Sequence, residues 1–152
     1  MVNGEYISGY IDGEGSFCIS FSPSNRHRFG WEIRPSFSVS QNFDRAEVLQ
    51  LLKQRWRKGT IRPDRSDKTL KFEIRAIEDL VGSVIPHFRK FPILSSKRKD
   101  FECFEQICQR IVRKEHLEPE GFKSIVDLAF QMNPSGKRKY HKEDILKRVP
   151  SR

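Results

Sequence analysis

The residues best suited to chemistry in this chain are two carboxylates, Asp12 and Glu14, set two apart and alternating with Gly13 and Gly15. They close the run Ile7-Ser8-Gly9-Tyr10-Ile11-Asp12-Gly13-Glu14-Gly15-Ser16-Phe17. Ile7, Tyr10 and Ile11 fall at helical spacing and Phe17 opens an alternating stretch, so the acids sit where a helix gives way to a strand. A helix C-terminus carries partial negative charge and unpaired carbonyls. A carboxylate added there opposes folding unless a cation is bound, which suits the position to a hard divalent metal. The same residues would also make a tight helix-to-strand joint with no metal. Ser8 and Gly9 leave little bulk on the neighbouring helical face, where another backbone could approach closely.

The elements that must position these acids follow from periodicity. The first helix covers residues 5–13. Phe17, Ile19 and Phe21 then alternate with Cys18, Ser20 and Ser22 as a first strand. A polar, basic turn over residues 22–28 leads to a second strand over about 31–40. There Trp31, Ile33, Phe37 and Val39 alternate with Glu32, Arg34, Ser36, Ser38 and Ser40. Pro35 interrupts the apolar face and points to an edge or a bulge. A helix over about 44–56 carries the stripe Val48, Leu49, Leu51, Leu52 and Trp56. A second hairpin runs over 60–62 and 69–75, with a turn through Pro63-Asp64-Arg65-Ser66-Asp67. Leu70, Phe72 and Ile74 face inward; Lys71, Glu73 and Arg75 face outward beside Arg62. A helix over about 77–88 completes the order helix, hairpin, helix, hairpin, helix.

That order predicts an α+β fold with an αββαββα core: one four-stranded antiparallel sheet, helices on one face, a polar and basic opposite face. Two further helices, reaching about residues 113 and 132, extend it at the C-terminal side. Residues 1–132 read as a single domain with its core at about 5–115, and residues 133–152 as a basic tail. Residues 133–140 are expected to be flexible, with a short helix over 142–148. The tail charges Lys137, Arg138, Lys139, Lys142, Lys147 and Arg148 are either solvated or available to phosphates.

With 152 residues, 36% apolar and 12 of them Phe, the chain can bury a real core. Its net charge of +9 favours a polyanionic partner. A membrane surface fits poorly, because no apolar run reaches spanning length and the basic residues are dispersed. Cys18, Cys103 and Cys108 include no CxxC pair and read as reduced thiols in a reducing compartment, a prokaryotic cytoplasm or an organelle interior. The four histidines lack zinc-ligand spacing. The acidic, glycine-containing N-terminal stretch argues against a secretory signal. The serine-rich outer face of the first hairpin, with Asn25, Arg26 and Arg28 at its tip, suits contact with base edges and phosphates in a major groove. A solvated face with a serine bias would look the same.

Taken together, the Ile7–Ser16 run and the element order around it resemble the LAGLIDADG homing endonucleases over roughly the first 115 residues. The resemblance lies in motif length, in glycine and acid placement and in the surrounding core. Only one copy of the motif is present, and single-motif members of that family dimerise through their motif helices. The resemblance therefore implies a homodimer, with Ser8, Gly9 and Tyr10 at the seam and a long pseudo-palindromic double-stranded DNA target. It implies intron homing by Mg²⁺- or other divalent-metal-dependent phosphodiester hydrolysis, and no small-molecule substrate. Glu14 would ligate the metal together with the Gly13 carbonyl, and Asp12 would have a structural or capping role.

By alignment, Gln41 matches a water-positioning residue, Lys97 a basic residue at the cleavage centre and Arg45 a basic residue at its periphery. Their plainer readings are strand-end capping, a phosphate contact or solvated lysine (with Arg98 as competitor), and a surface charge. DNA contacts are expected from Ser20, Ser22, Ser24, Asn25, Arg26, Arg28, Glu32, Arg34, Ser36 and Ser38 of the first hairpin. The second hairpin would add Arg62, Asp64, Lys71, Glu73 and Arg75, with arginines reading guanine and the glutamates accepting from cytosine. The alternative on the same scaffold is an intron maturase or a non-catalytic DNA- or RNA-binding protein.

Overall fold

The structure, a computed structural model, describes residues 3–64, 68–133, 136 and 138–151. Arg65-Ser66-Asp67 of the expected second turn and Lys137 of the tail lie outside the described residues. Helix α1 spans Gly4–Glu14. Its Ile7 and Ile11 are fully buried, and Asn3 caps its start by accepting from the Tyr6 N–H at 2.7 Å. Strands β1 (Gly15–Pro23) and β2 (Trp31–Asn42) form the first hairpin. After a 3₁₀ turn at Phe43–Arg45 come α2 (Glu47–Trp56), β3 (Thr60–Asp64) and β4 (Thr69–Ile74). Then follow α3 (Ile77–Asp79), a π-helical turn (Leu80–Val84) and α4 (Ile85–Lys90). The C-terminal elements are α5 (Lys97–Val112), α6 (Pro119–Phe130) and α7 (Lys142–Leu146).

The four strands form one sheet, as the element order predicts, and their order within it is β1-β2-β4-β3. β4 is central, pairing antiparallel with β2 from Phe37↔Ile74 to Asn42↔Thr69 and with β3 from Thr60↔Glu73 to Asp64↔Thr69. The chain forms two compact units and passes between them within β1, β2 and α5. One contains the residues up to Phe17 and Ser36–Arg98; the other contains Cys18–Pro35 and the chain from Lys99 onward.

In the first unit the core is organised around Phe37, which has no exposed surface. Its ring lies 5.3 Å from Phe17, 5.5 Å from Trp56 and 5.9 Å from Phe88, centroid to centroid. These contacts seat α2 and α4 against the strands of this unit. In the second unit the Phe21 and Phe29 rings meet Phe130 and Phe122 of α6. Cys103 and Cys108 are buried on α5, and all three cysteines are free thiols.

Local departures from the sequence reading have identifiable causes. Pro35 is buried on the same face as Phe37 and Val39, so it continues the apolar face. It precedes the stretch of β2 registered with β4, where a missing N–H would break the ladder. β2 runs two residues past the expected end, so Gln41 lies inside the strand, opposite Leu70. The helix after β4 is interrupted because Pro86 lacks an N–H for the ordinary helical bond, and Ile85 instead donates to Leu80 O across the π-helical turn. Several described residues of the tail are packed. Arg138 donates to Ile19 O at 2.9 Å and to Ala129 O, and its guanidinium lies over the Phe130 ring. Tyr140 meets Trp31 edge-on, and Ile145 is buried. Among the described residues, no helix is long and apolar enough to cross a membrane.

A hydrogen-bonded chain ties α1 to its neighbours in the first unit. Arg55 Nε–H donates to His87 Nδ1 at 3.3 Å, which leaves Nε2–H to donate to Ser8 Oγ at 3.2 Å. The Ser8 hydroxyl then donates to Phe91 O. His87 is held neutral: burial, then the adjacent Arg55 charge, push its pKa down to about 4. An unfolded histidine titrates near 6.5. Between those values the unfolded chain binds the extra proton, so stability is full above about 6.5 and is lost as pH falls toward 4. Thermal unfolding followed across this window should show a falling Tm, and His87→Gln should flatten that slope.

Candidate active site and nucleic-acid interface

The end of α1 is a cluster of oxygens, and the connector at residues 91–97 supplies the groups that satisfy them. Ile11 O accepts from the Gly15 N–H and from Lys97 Nζ at 3.0 Å. Gly15 O accepts from Lys97 Nζ at 2.6 Å. One ammonium thus caps the helix end, where partial negative charge accumulates. Asp12 faces the same connector: its Oδ2 accepts from Ser95 N–H at 3.2 Å and its Oδ1 from the Ser95 hydroxyl. Ser95 Oγ in turn accepts from Lys97 N–H at 3.3 Å, at the start of α5. Asp12 is therefore occupied inside the chain, whereas Glu14 and Gly13 are exposed. Burial, then the charge of Glu14 one turn on, push the Tyr10 phenol up to about 12, so it stays a neutral hydroxyl.

The structure thus brings Glu14, Gly13 and Lys97 together at one helix end. Gln41 is half-buried in β2, and Arg45 is exposed in the 3₁₀ turn beyond it. Neither makes an ion pair or side-chain hydrogen bond to Glu14 among the described residues. At the expected seam, Ser8 is turned into its own chain by His87 and Phe91. The face of α1 left open is formed by Tyr6, Gly9, Tyr10 and Gly13, the first half exposed. Ser95 is a site residue that sequence alone did not single out; its signal was the Ser95-Ser96 pair ahead of α5, but its partner is 83 residues away.

The expected DNA-contacting residues fall in both units. In the second, Ser20, Asn25, Arg26, Arg28 and Arg34 are exposed, and Ser22, Ser24 and Glu32 are half-buried. Glu32 pairs with Arg34 at 3.4 Å and His27 at 3.9 Å. Ser24 Oγ bonds His27 Nδ1 at 2.8 Å and accepts from Arg26 N–H, which shapes the hairpin tip. In the first unit, Ser36, Ser38, Asp64 and Lys71 are half-buried, Arg62 and Arg75 are exposed, and Glu73 is buried. Arg62, Lys71 and Arg75 all pair with Glu73. Burial opposes ionisation of Glu73, yet these three cations hold its carboxyl below the usual carboxylate range.

The family model described as LAGLIDADG endonuclease matches residues 7–108, and the chain belongs to this family. It is 35% identical over 133 residues to a probable intron-encoded endonuclease 3 of Neurospora crassa, an alignment covering 87% of this chain and 25% of that protein. This chain therefore spans only about a quarter of that relative. Among solved structures it resembles the homing endonuclease I-TnaI, at 27% identity and a TM-score of 0.89, covering 98% of this chain and 99% of that one. It also resembles I-SmaMI bound to uncleaved DNA target in the presence of calcium ions, at 26% identity and a TM-score of 0.88, covering 100% of this chain and 51% of that one.

The capping geometry makes a direct prediction. Lys97→Met removes both ammonium bonds to the helix end and should destabilise the fold by about 1–3 kcal/mol. Urea unfolding should show a lower midpoint with an unchanged slope.

Proposed function

We propose that this protein is a site-specific double-strand DNA endonuclease that acts as a homodimer on a long pseudo-palindromic target. The observation that carries the reading is the exposed Glu14 carboxylate at the end of α1, beside a lysine fixed to that same end. The DNA seen with I-SmaMI and the basic face of this sheet support the choice of substrate.

The donor set fits a hard divalent cation such as Mg²⁺. Glu14 offers exposed carboxylate oxygens, and Gly13 O lies in the last turn of the helix, where intrahelical partners run out. Among the described residues no group of three or more His, Cys, Asp or Glu could hold a metal. This suits Mg²⁺, which is commonly held by one or two carboxylates plus waters and substrate phosphates. When bound, the cation supplies charge stabilisation at the phosphate and at the departing oxygen. Lys97 keeps a fixed positive charge at the helix end, Asp12 anchors the connector that carries it, and Gln41 offers an amide to orient the attacking water. Arg45 adds a phosphate contact at the periphery.

The dimer reading rests on the open face of α1. Gly9 and Gly13 sit one turn apart, and a Cβ at either would meet nothing within 4 Å among the described residues beyond its chain neighbours and the adjacent helix backbone. Each glycine costs a helix about 1 kcal/mol relative to alanine. Their own chain gives no packing reason for that cost, whereas close approach of a second α1 does.

Glu14→Gln should reduce cleavage of a selected target by at least about 100-fold in Mg²⁺ while leaving DNA binding nearly intact; undiminished nicking would sink the assignment. In sedimentation the DNA-free protein should be a dimer. Gly9→Leu, which its own fold can accommodate, should give a folded monomer with an unchanged far-UV spectrum; a dimeric Gly9→Leu protein would place the seam elsewhere.

A further inference from the structure

Glu73 occupies an unusual position for a surface strand residue. It projects from the central strand β4 on the polar face, yet is only 7% exposed. Three cations cover it: Oε1 accepts from Arg62 Nη2 at 3.2 Å and lies 3.1 Å from Arg75 Nε in an ion pair, and Lys71 Nζ lies 3.6 Å from Oε2. Arg62 sits directly across from Lys71 in the β3–β4 register, an arrangement of like charges that destabilises a sheet pair. The buried carboxylate offsets that repulsion, which lets three cations share one face.

We propose that Glu73 is a specificity-determining residue that acts through Arg62 and Arg75, fixing their guanidinium groups for base readout, rather than a residue that reads cytosine itself. This rests on the endonuclease reading above. Both carboxylate oxygens face cations of the same chain, and the side chain has almost no surface to offer a base. The arginines, in contrast, are about half exposed, at 50% and 56%. Arg75 spends only Nε on Glu73, which leaves both terminal amino groups for the bidentate fork that recognises guanine O6 and N7. Arg62 spends one terminal nitrogen and retains the rest of its five donors. A long side chain already held in one rotamer loses less freedom on binding, and a fixed fork rejects a mismatched base edge that a mobile one would accommodate. Removing the carboxylate would free the arginines and also raise the positive charge of the face. Affinity for bulk DNA should then hold or rise while discrimination falls.

The test is selection from a random-sequence duplex library, with preference scored position by position for the full-length protein and its variants at one salt concentration. Arg62→Ala and Arg75→Ala locate the base pairs that those residues read. Glu73→Gln should lower preference at those same positions by about 10-fold or more, with bulk-DNA affinity equal to or above wild type. Glu73→Asp, which withdraws the carboxylate by one methylene, should lower it partially at the same positions and carries the test if Glu73→Gln does not fold. Retention of wild-type preference by a folded Glu73→Gln protein would overturn the inference. So would loss confined to a position that the arginine variants leave untouched, which would make Glu73 a direct reader. A wild-type protein that selects no preferred sequence would instead overturn the endonuclease reading on which the inference stands.

Discussion

A helix that ends in two carboxylates and a set of unpaired carbonyls needs positive charge and hydrogen-bond donors, and α1 obtains them from far along the chain. Lys97 reaches Ile11 O and Gly15 O across 86 and 82 residues of sequence, and Ser95 reaches Asp12 across 83. The rest of the site follows from this closure. Because Asp12 is consumed in holding the connector, Glu14 is the acid left exposed at the helix end. Because Lys97 is bound to the backbone oxygens of Ile11 and Gly15, its charge is held at the helix end that carries Glu14. The helix end thus carries one exposed acid and one cation held by backbone oxygens.

The other side of α1 is closed by a different kind of interaction. The Arg55–His87–Ser8–Phe91 chain fixes each proton: Arg55 can only donate, so His87 must accept at Nδ1 and donate at Nε2. Ser8 is drawn inward by this chain, where its hydroxyl meets His87 and donates to Phe91 O. The glycines at 9 and 13 then mark the face that remains open. One eleven-residue helix thus has one side closed by the His87 chain, an end closed by the connector and a face left open.

Acids on the outer face of the sheet behave alike in both units. Glu32 is flanked by Arg34 and His27, and Glu73 by Arg62, Lys71 and Arg75. In a chain with nine more basic than acidic residues, such acids organise cations that would otherwise repel one another. In the second unit the tail serves a different purpose. β1 is an edge strand, and Arg138 binds its Ile19 carbonyl while Tyr140 and Ile145 add buried surface, which covers part of an edge open to unwanted pairing.

The order of elements, the inward positions Phe17, Ile19, Phe37, Phe72 and Ile74, and the helix-to-strand joint at Gly13-Glu14-Gly15 were all legible in the sequence. They depend on local periodicity and on backbone preferences that each residue carries with it. The family could be recognised for the same reason, because its motif is a contiguous run. What the sequence could not determine was which polar groups meet. Ser8 could equally have faced outward, Glu73 could have been a solvated acid, and Arg138 a loose tail charge. Those outcomes depend on pairings across tens of residues, set when packing of the Phe37 core brings α1, α4 and the connector together. Spacing along the chain fixed which elements form, and tertiary closure decided which of two neighbouring carboxylates binds the connector and which stays exposed.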